Sequence, residues 1–198
     1  MARPRMFDEE RALDAAMHTF WEKGYEATST QDLCEATGLG RSSIYNTFKS
    51  KHDLFHRALA HYIDTMTTAQ LAVLEDTRHS AADRIRALFA MVIDGETEHR
   101  AGGRSLGCLT VNTTVELAAR DGQAAGMLER DTARRLTVLR AVIEEGRRDG
   151  SIASRRDAGA LARFINAAIG GMRISSQGGA DRTALESIAE VTLDALTH

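Results

Sequence analysis

The chain has 198 residues with 28 acidic against 25 basic side chains, a formal charge of −3, which argues against indiscriminate polyanion binding and leaves any nucleic-acid contact to local charge. A single proline, Pro4, and only 5% aromatic residues let helices run nearly throughout, and no stretch approaches the roughly 20 apolar residues of a membrane span. Two cysteines, Cys34 and Cys108, lie far apart without metal-type spacing, so free thiols are expected rather than a disulfide or metal framework.

A first helix is predicted from about Asp8, whose carboxylate can cap it. Leu13, Ala16, Met17 and Phe20 form its buried stripe and Gly24 ends it. Ser29 and Asp32 then read as a capping box opening a short helix to about Thr37, which Gly38-Leu39-Gly40 breaks. A third short helix fits Arg41 to Phe48. Ser50 caps a fourth, along which Leu54, Phe55, Ala58, Leu59, Tyr62 and Met66 keep helical spacing. Further helices are predicted over 80–95, 106–120, 123–148, 157–177 and 183–197, punctuated by Gly102-Gly103, Asp121-Gly122, Asp149-Gly150-Ser151 and Gly178-Gly179. No segment alternates like a strand. The start, Met1 to Arg5, lacks the apolar stretch of a signal peptide, and a cytoplasmic location is expected.

The two short helices around the glycine turn have the spacing of a helix-turn-helix, in which the second helix enters the major groove and the first braces it. Leu33, Leu39, Ile44 and Phe48 supply its core. Arg41, Ser42, Ser43, Tyr45, Asn46 and Thr47 form an exposed face without an acid. Between Gly38 and Lys51 the charged residues are Arg41, Lys49 and Lys51, all basic, and Arg3 and Arg5 make a second basic spot. Arg41 suits a bidentate guanine contact and Asn46 a base edge, whereas Tyr45, Thr47, Lys49 and Lys51 suit phosphates.

These residues resemble the TetR-type repressors. The resemblance is carried by Ala2-Arg3-Pro4-Arg5, by Phe20-Trp21-Glu22-Lys23-Gly24-Tyr25-Glu26-Ala27-Thr28-Ser29 and by Ile44-Tyr45-Asn46-Thr47-Phe48-Lys49-Ser50-Lys51. It implies that Tyr45, Thr47 and Lys51 hold phosphates, that Thr30 touches the backbone and that Arg41 to Ser43 face bases. Gly40 stands where the family often has a serine cap and Thr47 where it commonly has histidine, which puts those contacts in doubt and not the docking mode. Arg3 and Arg5 resemble arms laid in the minor groove, with a plain tail as the alternative.

After about residue 66 the resemblance weakens. It implies that the last two helices pack against a second copy, with Leu161, Ile165, Ala168, Ile169 and Met172 on one and Leu185, Ile188, Val191, Thr192, Ala195 and Leu196 on the other. Ala160, Ala167, Gly170 and Gly171 suit close approach there or ordinary packing. Gly107-Cys108-Leu109 resembles a branch that includes electrophile- and oxidant-sensing repressors. There the cysteine begins a helix and is a sensor, with a buried packing role as the alternative. Phe89, Val92, Ile93, Cys108, Asn112, Glu116, Met127 and Phe164 are candidate walls of an effector pocket. His52 and His56 share a helix face, yet no third ligand has convincing spacing, so no metal and no cofactor are expected.

The expected architecture is all-α, with a helix-turn-helix domain over residues 1–51 and an effector-binding and dimerisation domain over 52–198. The expected function is a homodimeric regulator, most often a repressor in this family, released from double-stranded operator DNA by a small-molecule or thiol-reactive effector. Two rivals stand beside it. An enzyme using Cys108 lacks a recognisable catalytic partner or phosphate loop, and an adaptor without DNA binding would not need the basic, acid-free face around Arg41.

Overall fold

The computed structural model describes residues 3–98, 100–101 and 104–197. Among these, nine helices follow in order: α1 (Arg3–Lys23), α2 (Thr30–Thr37), α3 (Arg41–Phe48), α4 (Lys51–Leu74), α5 (Ala81–Glu98), α6 (Leu109–Glu116), α7 (Gly122–Asp149), α8 (Ala158–Gln177) and α9 (Arg182–Thr197). Between α5 and α6 the strands β1 (Arg100–Ala101) and β2 (Arg104–Ser105) form a minimal antiparallel ladder, Arg100 opposite Ser105 and Ala101 opposite Arg104. Strands of two residues are too short to show any alternation in sequence. The chain divides into two compact units, Met1–Thr65 with Cys108–Leu128 and Met66–Gly107 with Glu129–His198.

In the first unit Phe20, Leu33, Phe48, Leu54, Ala58 and Leu59 are fully buried and Ile44 nearly so. Each large apolar side chain taken out of water in this way contributes about 1.5–3 kcal/mol. Phe20 meets Phe55 edge-on at 5.2 Å between ring centres, tying α1 to α4. Leu39, expected in this core, is only half-buried.

Two expected helix starts are corrected. The first helix begins at Arg3, so Asp8 lies inside it and not at its cap; Pro4 falls in the first turn, where a missing N–H costs no hydrogen bond. The helix expected from residue 106 begins at Leu109, because Arg104–Ser105 is drawn into the ladder and Cys108, with extended backbone, is the residue before the helix. It ends at Glu116, and the backbone N–H of Leu117 donates to Thr113 O at the stop.

The second unit packs Ile85 and Phe89 of α5, Ile143 of α7, Leu161, Ile165 and Met172 of α8, and Leu185 and Leu196 of α9 into one core. Most of the residues expected on the pairing surface belong to this core or pack against it. Leu161, Ile165, Ile169, Met172, Leu185 and Thr192 are buried within a single chain. Ala168, Ile188 and Ala195 are half-buried. The other side of α8 is open, with Phe164 45% and Ile174 54% exposed, and on α9 Val191, one of the residues expected to pair, is 64% exposed.

Candidate nucleic-acid interface

The α2–turn–α3 segment is fixed by local chemistry. Asp32 N–H donates to Ser29 Oγ at 3.1 Å while Ser29 N–H donates to Asp32 Oδ2 at 2.7 Å, a complete capping box. Lys23 Nζ, 2.6 Å from Asp32 Oδ1, and the Ser29 donors hold the Asp32 carboxyl well below the usual carboxylate range. At the other end Gly38 has φ +67°, the left-handed conformation that closes a helix and that a side chain disfavours. Gly40 then precedes α3 with no side-chain hydrogen bond to the helix start, the expected consequence of lacking a serine there.

On α3, Ile44 and Phe48 are the buried anchors, while Arg41, Ser42, Ser43, Asn46 and Thr47 are exposed and Tyr45 is half-buried. The face turned to solvent therefore carries hydrogen-bonding groups and no carboxylate. Thr30 Oγ1 lies 3.0 Å from Tyr45 Oη, joining the first turn of α2 to α3, and this hydrogen bond is the main reason the Tyr45 hydroxyl is more acidic than usual. The Arg41 guanidinium sits 5.8 Å from the Tyr45 ring centre. Lys49 adopts a positive φ of 55° directly after α3, and Lys51 Nζ lies 4.4 Å from the Tyr25 ring centre. Thr30, Arg41 to Thr47, Lys49 and Lys51 thus belong to one unit and cluster at its α2–α3 end. Arg3 and Arg5 lie in the first turns of α1; their side chains fall outside the described residues.

Three features of this unit escape a reading of the sequence. Arg57 pairs with Glu9 and stacks 4.8 Å from the Phe48 ring centre, bracing the end of α3. Glu116 accepts the backbone N–H groups of Tyr25 at 3.0 Å and Glu26 at 2.8 Å, pinning the chain between α1 and α2. A Cβ added to Gly24 would lie 3.0 Å from Glu116 Oε2, so this approach needs glycine. Asp121 receives both His52 Nε2 at 2.8 Å and His56 Nε2 at 2.7 Å. Burial alone would raise the Asp121 carboxyl, but the Ala124 N–H and the two imidazoles outweigh it and hold the carboxyl at about 2.

The expected effector residues divide between the units. Phe89, with Ile93, lines a cavity of about 260 Å³ between α5 and α9 that Arg182 and Glu186 also border, whereas Phe164 stands on the exposed side of α8. Cys108, Asn112, Glu116 and Met127 lie in the unit that carries α3. Glu116 is engaged by two backbone donors and anchors the loop between α1 and α2. Cys108 is buried at the start of α6, where Tyr62 Oη donates to its Sγ at 3.4 Å and Thr110 Oγ1 lies at 3.0 Å. Cys34 is a half-buried free thiol on α2.

The family model for bacterial regulatory proteins of the tetR family matches residues 12–58, and that for the tetracyclin repressor-like C-terminal domain matches residues 81–192. The HTH-type transcriptional repressor ComR of Escherichia coli is 35% identical over 96% of this chain and 90% of its own length. The uncharacterized HTH-type transcriptional regulator YezE of Bacillus subtilis is 29% identical over 99% of this chain and 100% of its own. A cysteine mutant of the TetR family transcriptional regulator CifR, solved with a 26-base-pair double-strand operator DNA, superposes with a TM-score of 0.81 at 28% identity, covering 98% of this chain and 99% of that one.

Proposed function

The chain belongs to the tetR family of bacterial regulatory proteins, and from that premise we propose that it is a homodimeric transcriptional repressor that binds double-stranded operator DNA through α3 and leaves it when an effector binds. The observation that carries this reading is the asymmetry of α3: Ile44 and Phe48 are locked into the unit while Arg41, Ser42, Ser43, Asn46 and Thr47 stand outward with no acid among them. Arg41 to Ser43 and Asn46 read base edges; Thr30, Tyr45, Thr47, Lys49 and Lys51 take phosphates and set the register. Arg3 and Arg5 extend the positive charge at the start of α1. Functionally the chain divides at residues 51 and 52, the recognition helices before and the effector and pairing elements after.

Two reading helices need two copies at a fixed spacing. The second copy packs on the open apolar stripe of α8, Phe164, Ala167, Gly171 and Ile174, together with Val191 of α9. An effector acts by favouring a dimer in which that spacing no longer matches the DNA. A thiol-reactive effector is the form in which Cys108, at the start of α6 beside the Tyr62 hydroxyl, would take part. No described helix is long and apolar enough to cross a membrane.

The test is fluorescence anisotropy with duplexes from upstream of the gene and its neighbours at physiological salt. Two chains per palindromic site and a preference of at least about 10³-fold over random duplex are expected. Equal affinity for both would contradict the proposal. Release by diamide or methylglyoxal that is lost in Cys108→Ser would assign the sensing thiol, and release that persists in Cys108→Ser would remove Cys108 from that role.

A further inference from the structure

The sequence offers His52 and His56 one turn apart on α4 and no obvious third ligand; the fold brings Asp121 to them from the residue before α7. Both Nε2 atoms converge on the same carboxylate oxygen, Oδ2, at 2.8 and 2.7 Å. The other oxygen, Oδ1, accepts the backbone N–H groups of Gln123 and Ala124 at 3.0 Å each, so the carboxylate is held in place while Oδ2 faces the imidazoles. The two rings lie 4.0 Å apart, and one potential ligand atom from each residue falls within 4.8 Å of the others.

We propose that His52, His56 and Asp121 form a divalent transition-metal site, of the kind that takes Zn²⁺ or Co²⁺, linking the first turns of α4 to the start of α7 within the unit that carries α3. Two imidazole nitrogens and a carboxylate oxygen are the donor set that borderline cations prefer. Metal–ligand distances of about 2.0–2.2 Å around a tetrahedron place ligand atoms about 3.3 Å apart. The observed separations of 2.7 and 2.8 Å therefore need to open by about half an ångström, which small side-chain rotations provide. Each imidazole then coordinates through Nε2 as the neutral ring with its proton on Nδ1, and any second ring proton leaves to solvent.

The surroundings suit such a site. The backbone donors to Oδ1 orient the carboxylate as outer-shell partners do, and the His52 ring rests edge-on against Tyr25 at 6.1 Å. His56 and Asp121 are largely buried, with side chains 6% and 9% exposed, whereas His52 is 51% exposed and gives access. Three protein ligands leave a fourth position for water or an exchangeable donor. The site is independent of the repressor reading, because its existence is a matter of binding and not of DNA.

The experiment is a titration of the untagged, chelator-treated protein with Co²⁺, followed by its visible d–d bands and then by displacement with Zn²⁺. One Co²⁺ per chain is expected, displaced by Zn²⁺. His52→Ala, on an exposed position, should weaken binding by more than about a hundredfold, since the loss of outer-shell partners alone typically costs about 10–100-fold. His56→Gln, checked for an unchanged circular dichroism spectrum, should do the same, and His18→Ala should bind as the parent does. No uptake by the parent at about 100 µM metal, or uptake unchanged in His52→Ala, would overturn the proposal and leave a hydrogen-bonded triad.

Discussion

At the residue scale the proposed interface sorts into groups that read and groups that position. On that reading Lys51 belongs with the second, and removing a phosphate contact weakens every complex alike. Lys51→Ala should lower affinity for operator and random duplex equally and flatten the slope of log affinity against log salt by about 1, read from anisotropy across a salt series. The Ser29–Asp32 box was legible from sequence because a cap and its partner are three residues apart. Glu116 was not, since its partner Tyr25 lies 91 residues away and nothing local marks the pair.

The same residues fix a pH dependence. The folded-state pKa of Asp32 is depressed, so its stabilising contribution is present above the ordinary carboxylate range and disappears as the pH falls below it. Thermal unfolding followed from pH 7 to pH 3 should show a steeper acid decline for the parent than for Asp32→Asn. Ser29→Ala should lower stability by about 1 kcal/mol at neutral pH, measured by urea unfolding.

At the scale of elements, the turn between α2 and α3 sets where α3, the proposed reading helix, points. Gly38 holds its left-handed conformation with nothing within 4 Å of where a Cβ would stand, so strain alone opposes a side chain there. Gly38→Ala should cost about 1–2 kcal/mol in urea unfolding. An unchanged midpoint would mean the turn has another conformation in solution. Helices were legible wherever a stripe, a cap and a glycine agreed, as over α2 and α3. The start of α1 was missed because Asp8 reads as a cap, although a helix accepts Pro4 in its first turn and can begin before it.

At the scale of the whole molecule, α8 shows what a stripe cannot tell. It carries apolar residues on two sides, Leu161, Ile165 and Met172 on one and Phe164 and Ile174 on the other, and periodicity alone does not say which side its own chain covers. The fold spends the first on the interior. Phe164→Glu should therefore give a folded monomer in analytical ultracentrifugation with operator affinity reduced by about 10²-fold or more, since one half-site must then bind without the other. Ile165→Glu, inside the core, should instead fail to fold.

In the proposed complex α3 reads base edges. The most direct test of this takes an operator selected from a pool of random duplexes by the parent protein and compares the affinities of the parent and Arg41→Ala for that operator and for random DNA. Loss of about 10–100-fold on the operator, with random binding reduced far less, is the expected result. Equal losses on both duplexes, or none on either, would contradict it.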